Sequence, residues 1–389
     1  MRAPRPFEIN IPNAKLEAIR ARIEAFQWFD PPAGLPDWQF GISTPVLKDI
    51  QAYWLNDYNW RDEEKTLNQH PQFIAEIDGL PIHFLHIVGE ANGKRPLLLT
   101  HGWPGSIFEF YDAIGPLAYP SQHGGKAEDA FDLIIPSLPG YGFSGKPAAP
   151  LGQRATAKLW NTLMQDILGY GTYLAQGGDW GGMVTSWIGF DHGTVNQKGG
   201  CKAIHLNMIG FRPTPATPQS DEEATWLQSM QSAMQLEGSY FMQQATKPQT
   251  LAMSLMDSPM GTAAWILEKF HGWSELKDGD LYSVYTRDQL ITNVMIYLVN
   301  DAIATSVWYY AAFFGEGGPG LPEGARCETP TGFANFPGEA IFTAPPRSWC
   351  DRAYNMTHWS DLSHGGHFAA MEAPDLFVQD VRTWARAVD

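Results

Sequence analysis

Three cysteines, Cys201, Cys327 and Cys350, are all that the 389-residue chain contains. They are too few for a disulfide framework and too scattered for a metal cage, so they read as small buried hydrophobes in a reducing, cytoplasmic setting. Long apolar runs are also missing. No stretch reaches the roughly eighteen uncharged residues that a membrane span needs, and "MRAPRPFEINIP" has no secretory core, so a soluble protein without a membrane anchor is expected. Positive charge is scarce: 26 Lys and Arg face 42 Asp and Glu, for a net charge of -16, which argues against nucleic acid as a partner. There is no repeat and no low-complexity tract, and nothing in the composition specifies or forbids a homo-oligomer. Aromatics, by contrast, are abundant. The 15 Trp, 21 Phe and 14 Tyr exceed what core filling normally uses and suggest an apolar pocket.

To about residue 70 the chain reads as helices with proline-rich joints; in "NAKLEAIRARIEAF", Leu16, Ile19 and Ile23 fall on one stripe. "FIAEIDGLPIHFLHI" reads as a β-hairpin turning at Asp78-Gly79. From "PLLLT" onward, short apolar runs ("FDLIIPSL", "TYLAQG", "AIHLNMIG") end in Gly or Pro and mostly alternate with helical patterns, implying buried parallel strands of an α/β sheet. Between about Phe211 and Gly315 the pattern is wholly helical, as in an inserted lid. The sheet is expected to resume near "GEAIF" and "AYNMTHWSD", and "DLFVQDVRTWARAV" supplies a closing helix. The expected organisation is an N-terminal region (1–90), two core segments (91–210 and 316–389) and a helical lid (211–315).

In "AQGGDWGGM", Gly177, Gly178, Gly181 and Gly182 bracket Asp179 and Trp180 after a strand and before a helical pattern. That is the crowded strand-to-helix elbow that presents a nucleophile, but with Asp in place of Ser. The residue type specifies the electrophile. A serine attacking a saturated carbon would leave an ether that water cannot release, whereas a carboxylate leaves an ester that water can hydrolyse. Asp179 therefore points to an electrophilic sp³ carbon, such as a strained epoxide or a halide-bearing carbon.

Hydrolysis of that ester requires a base, an orienter and an oxyanion cradle, with base and acid following the nucleophile in the order acid, then histidine. "SHGGHFAAMEAP" offers His367 as the base, with His364 as competitor; His205 and His358 read as structural. "FPGEAIF" offers Glu339 as the orienting acid, with Asp351 and Asp361 as rivals. "THGWPGS" after a strand can aim the Trp103 backbone N–H at the site beside that of Trp180. "GYGFSG" (140–145) matches a dinucleotide fingerprint, yet "KPAAPLG" follows where the phosphate-binding helix should start, so no nucleotide, and no other cofactor or metal, is expected.

Together these segments resemble the microsomal-type epoxide hydrolases, which are α/β-hydrolases with a helical N-terminal region and a helical lid. "RPFEINIP", "HGWPGS", "GGDWG", "TPTGFANFPGE" and "GGHFAAMEAP" carry the likeness over nearly the whole chain. The resemblance implies an α/β-hydrolase fold, an epoxide as substrate and two lid tyrosines that grip the epoxide oxygen. "EGSYFMQQATKPQT" matches the first segment at Tyr240. "SVWYYAAFF" matches the second, favouring Tyr310 over its neighbour Tyr309. A haloalkane dehalogenase, using the Trp180 indole for halide, and a non-catalytic ligand receptor on the same scaffold are the alternative readings.

Overall fold

The computed structural model describes residues 3–91, 95–195 and 197–388. Within them, β1 (Arg5–Phe7), β2 (Gln72–Ile77), β3 (Leu80–Ile87), β4 (Pro96–Thr100), β5 (Asp132–Pro136), β6 (Thr172–Gly177), β7 (Gly200–Leu206), β8 (Cys327–Asn335) and β9 (Tyr354–Asp361) form one sheet. Its order is β1-β2-β3-β5-β4-β6-β7-β8-β9. The apolar runs become its centre: β4 and β5 are buried along their whole length, and all pairings from β5 through β9 are parallel. Alternation assigns the faces. Leu97 and Leu99 join one core while Leu98 joins the other, as Leu133 and Ile135 do against Ile134.

The helices before the insertion are α1 (Asn13–Glu24), α2 (Thr44–Asn56), α3 (Trp60–Leu67), α4 (Tyr111–Ala118), α5 (Gln153–Thr162) and α6 (Asp179–His192). Between β7 and β8 come α7 (Asp221–Glu237), α8 (Ser239–Thr246), α9 (Pro248–Asp257), α10 (Pro259–Trp273), α11 (Arg287–Val299), α12 (Ile303–Ser306) and α13 (Trp308–Gly315). The chain ends with α14 (Arg347–Ala353), α15 (Ala369–Glu372) and α16 (Pro374–Ala387). Phe377, Val381 and Trp384 of α16 cover one sheet face with Ile114 and Leu117 of α4; Trp160 of α5 and Val184 and Ile188 of α6 cover the other. Among the described residues no single helix is long and apolar enough to cross a membrane.

The hairpin turns where the sequence places it, with Asp78 at φ 50 and Gly79 at φ 80, and β3 continues onto β5 in antiparallel register. The first 90 residues therefore do more than lay helices on the core, since β1, β2 and β3 extend its sheet. One expectation is corrected. "GEAIF" is a loop, and the strand lies before it, as β8, with Pro330 and Gly332 inside. Register shifts at Cys327/Pro330 and Thr331/Gly332 accommodate the proline that lacks an N–H, and a Cβ at Gly332 would meet the Trp384 ring at 2.5 Å. Two punctuating residues thus mask a strand that packing requires. After "GYGFSG" the loop closes on itself through Gly140 N–H to Gly145 O (2.9 Å), and the next helix, α5, starts only at Gln153.

Candidate active site

Asp179 sits between the end of β6 and the first turn of α6 at φ 47, a left-handed conformation that costs on the order of 1–2 kcal/mol for a non-glycine residue. The surrounding glycines are needed for space. A Cβ on Gly181 would lie 1.9 Å from the Thr100 carbonyl oxygen, and one on Gly177 2.2 Å from that of Gly181. On the facing turn, a Cβ on Gly102 would strike Asp179 Oδ1 at 2.3 Å. The carboxylate thus rests against bare backbone, and the Trp103 N–H donates to its Oδ1 at 2.8 Å. Trp180, second in α6, has a backbone N–H with no intrahelical acceptor available to it.

The "HGWPGS" turn is rigidly held. Leu138 N–H donates to His101 Nε2 (3.1 Å), so the imidazole donates from Nδ1 to the Gly102 carbonyl (2.9 Å). Burial pushes His101 down to about 4, keeping it neutral in that role. From α11, Asn293 donates to the Pro104 carbonyl (2.7 Å) and Tyr297 to that of Gly105 (2.5 Å).

His367 meets this assembly from the loop after β9. Its Nδ1 is 2.7 Å from Glu339 Oε2 and its Nε2 3.4 Å from Asp179 Oδ2, with no closer partner for Nε2. Glu339 is fixed in turn by the N–H groups of Ile341 and Phe342, both 3.0 Å from its Oε1. Burial alone would make His367 less basic, but the charges of Glu339 and Asp179 overcome it and hold the imidazole well above its usual range. Burial would likewise raise Glu339, yet His367 and the two N–H donors keep its carboxyl below the usual value. The rivals lie elsewhere. His364 is exposed beside Ser363, Asp351 faces Arg347, and Asp361 accepts from Asn335. His205 and His358 grip opposite oxygens of Asp380 at 2.8 and 3.1 Å, the one group of metal-ligand type among the described residues.

The loop carrying His367 is tied to the end of α10. His367 N–H donates to the Trp273 carbonyl (3.0 Å), Glu275 N–H to Glu372 Oε2 (2.9 Å) and Gly365 N–H to Glu275 Oε2 (2.5 Å).

On its other side Asp179 opens into a cavity of about 320 Å³ walled by α7, α8 and α13, with Met230, Phe241 and Phe313 among the lining. Tyr240 and Tyr310 both line it, their rings edge-on at 5.9 Å. Burial, with the Asp179 charge adding to it, holds both phenols well above their usual range, so they remain donors. The Tyr310 hydroxyl has no hydrogen-bond partner, whereas that of Tyr309 donates to Thr156 (2.7 Å) and points away. One carboxyl at the site was not singled out from the sequence. Glu109, on the short turn Ile107–Phe110, lies beside Asp179 and His367, and its position four residues after the small Gly105 was the available signal.

Known proteins share both segments and whole architecture. Residues 4–110 match the family model described as the epoxide hydrolase N terminus, and residues 95–237 that of the alpha/beta hydrolase fold. A putative epoxide hydrolase of Stigmatella aurantiaca is 40% identical over 381 residues, covering 97% of this chain and 83% of its own. The chain belongs to the epoxide hydrolase family. Epoxide hydrolase 1 of Sus scrofa is 33% identical over 97% of this chain and 87% of its own. Among solved structures, the Aspergillus niger epoxide hydrolase superposes with a TM-score of 0.84 at 30% identity, covering 100% of this chain and 97% of that one. The juvenile hormone epoxide hydrolase of Bombyx mori gives 0.82 at 32%, covering 100% and 94%. This epoxide hydrolase therefore has the α/β-hydrolase fold and the ether-bond hydrolase class that its motifs imply.

Proposed function

We propose that this epoxide hydrolase converts an apolar epoxide and water to a vicinal diol through an ester on Asp179. The observation that carries the assignment of roles is a single carboxylate held by the Trp103 N–H, faced by a Glu339-oriented histidine and roofed by two phenols in an apolar cavity. The epoxide enters with its oxygen toward Tyr240 and Tyr310. Asp179 Oδ2 attacks one ring carbon, the C–O bond breaks, and a phenol proton passes to the leaving oxygen. Oδ1, already on the Trp103 N–H, becomes the ester carbonyl oxygen.

The charge balance times the second step. While Asp179 is a carboxylate it helps to keep His367 protonated; once alkylated it is neutral, and His367 loses one of the two charges that raise it. The imidazolium then releases its proton to solvent, and the neutral ring can take one from water. That water adds to the ester carbonyl, the N–H groups of Trp103 and Trp180 hold the oxyanion, and collapse returns the proton to the departing diol oxygen. The phenolate regains its proton from solvent, Asp179 keeps one oxygen from water and passes the remaining proton to His367, which restores the starting pair, and neither metal nor organic cofactor enters the scheme. In this reading residues 211–315 are a lid inserted between core segments 91–210 and 316–389, residues 1–90 brace the core, and the buried unpaired cysteines fit a cytoplasmic setting.

A single turnover in heavy-oxygen water tests the route. Mass spectrometry of the Asp179 peptide should show one labelled oxygen, and label confined to the diol would exclude the covalent ester.

A further inference from the structure

Two cavities touch Asp179, and it is the only described residue that lines both. The larger is the apolar one under α7, α8 and α13. The smaller lies behind the carboxylate and offers about 20 Å³ for the centre of a water molecule, against the roughly 10–15 Å³ that one water needs. No apolar substrate fits there. Its wall brings His367, Asn207 and Glu109 together with Asp179, enough polar groups for a water, which takes two to four partners.

Glu109 is placed there by the same turn that seats the nucleophile. A Cβ on Gly105 would lie 1.5 Å from Glu109 Oε1 and 3.0 Å from its Cγ, so the carboxyl fills the space that the glycine leaves empty. The backbone N–H groups of Gly102 and Ser106 lie near enough to favour its charged form. Gly102 thus makes room for Asp179 and Gly105 for Glu109, and one loop carries a carboxyl on each side of the reacting group.

Resting on the ester route above, we propose that Glu109 is a positioning residue for the hydrolytic water: it accepts the second hydrogen of a water whose first is directed at His367 Nε2. A water donating both hydrogens this way turns a lone pair toward the ester carbonyl. Without the second acceptor it can rotate about the bond to His367, and the fraction aimed at the carbonyl falls. The electrostatics agree. Burial, aided by the Asp179 charge, pushes Glu109 up to about 8 against the pull of His367 and these N–H groups, so a second negative charge does not compete with the nucleophile for His367 before the ester forms. The uncharged carboxyl still accepts hydrogen bonds through its carbonyl oxygen.

Glu109→Leu tests this, with Glu109→Gln as the rescue: leucine leaves the water no acceptor, whereas the glutamine carbonyl accepts as the uncharged carboxyl does. Rapid-quench mass spectrometry of the Asp179 adduct, with stopped-flow tryptophan fluorescence, separates ester formation from ester hydrolysis. In Glu109→Leu, ester formation should stay within about twofold of wild type, which also shows that the site is folded, while hydrolysis slows by at least about tenfold, so that the adduct accumulates and kcat and KM fall together; Glu109→Gln should restore hydrolysis. Hydrolysis at the wild-type rate in Glu109→Leu would overturn the proposal and leave the ester route standing; so would equal slowing of both steps, which is the mark of a structural role. Absence of any adduct in the wild-type enzyme would instead remove the ester route itself, and this proposal with it.

Discussion

The two sides of Asp179 differ in every physical respect. In front lies about 320 Å³ of mostly apolar space closed largely by Met, Phe and Trp side chains; behind lies about 20 Å³ where a histidine, an amide and two carboxyls meet Phe110, Phe368 and Phe377. In the proposed route the front would take the carbon skeleton, since its lining is mostly Met, Phe and Trp, with Tyr240, Tyr310, Arg212 and Thr343 as its polar side chains beside Asp179. The back, in the proposal above, would hold the hydrolytic water and aim it. On that proposal, substrate choice and hydrolysis fall to separate volumes, and Asp179, which lines both, serves each.

Substitutions that act on one side only are the way to break this comparison. The largest effect is expected where the sides meet: Asp179→Asn, checked for deamidation, should lose adduct and diol together, by about 10⁴-fold or more in kcat. His367→Ala should leave the front reaction running and stop the back one, so that mass spectrometry finds a full equivalent of trapped ester while turnover drops about 10³-fold. Tyr310→Phe addresses the front. Ester formation should slow by about 10- to 100-fold with hydrolysis of the preformed ester unchanged, whereas Tyr309→Phe, which removes only the bond to Thr156, should change neither step more than about twofold and lower stability by about 1 kcal/mol. If both variants slowed ester formation equally, the division of labour between these neighbours would be wrong.

The smallest effect concerns stability. Glu109 titrates near 8 in the folded chain and in the ordinary carboxyl range when unfolded. As pH rises between those values the unfolded chain sheds a proton that the folded chain retains, so wild-type stability falls, and the loss is complete above pH 8. Glu109→Gln lacks this penalty. Thermal melts should show the variant gaining on wild type by on the order of 1–3 kcal/mol between pH 5 and pH 8, and a pH-independent difference would place Glu109 outside a dry site.

The elbow that holds Asp179 was readable in the chain because local rules dictate it. A glycine-cramped elbow requires small neighbours, and the ester logic singles out Asp179. Proximity in three dimensions was less legible. Glu339, Asp351 and Asp361 all fall between Asp179 and His367 in the chain; the expected strand beside Glu339 and the likeness of "TPTGFANFPGE" favoured it, but only the fold shows it 2.7 Å from His367 with its other oxygen bound by backbone. Strand β8 was masked by Pro330 and Gly332, whose irregularity is absorbed by bulges and by the approach of Trp384. Glu109 passed unnoticed because its neighbour is a missing side chain: the space over Gly105 exists only once the turn has folded.

The ties between the inserted helices and the catalytic loops carry a further implication for how such an enzyme diversifies. The end of α10, and Asn293 and Tyr297 of α11, are bonded to the backbone that presents His367 and the "HGWPGS" turn, so on the proposed route changes there would disturb the chemistry whatever the substrate. Helices α7, α8 and α13 line the proposed substrate cavity, and apart from Tyr240, Tyr310 and residues with structural ties such as Glu223 and Tyr309, their cavity-facing positions are the ones to vary. A library confined to those three helices would explore new epoxides while the hydrolytic half of the machine is inherited intact.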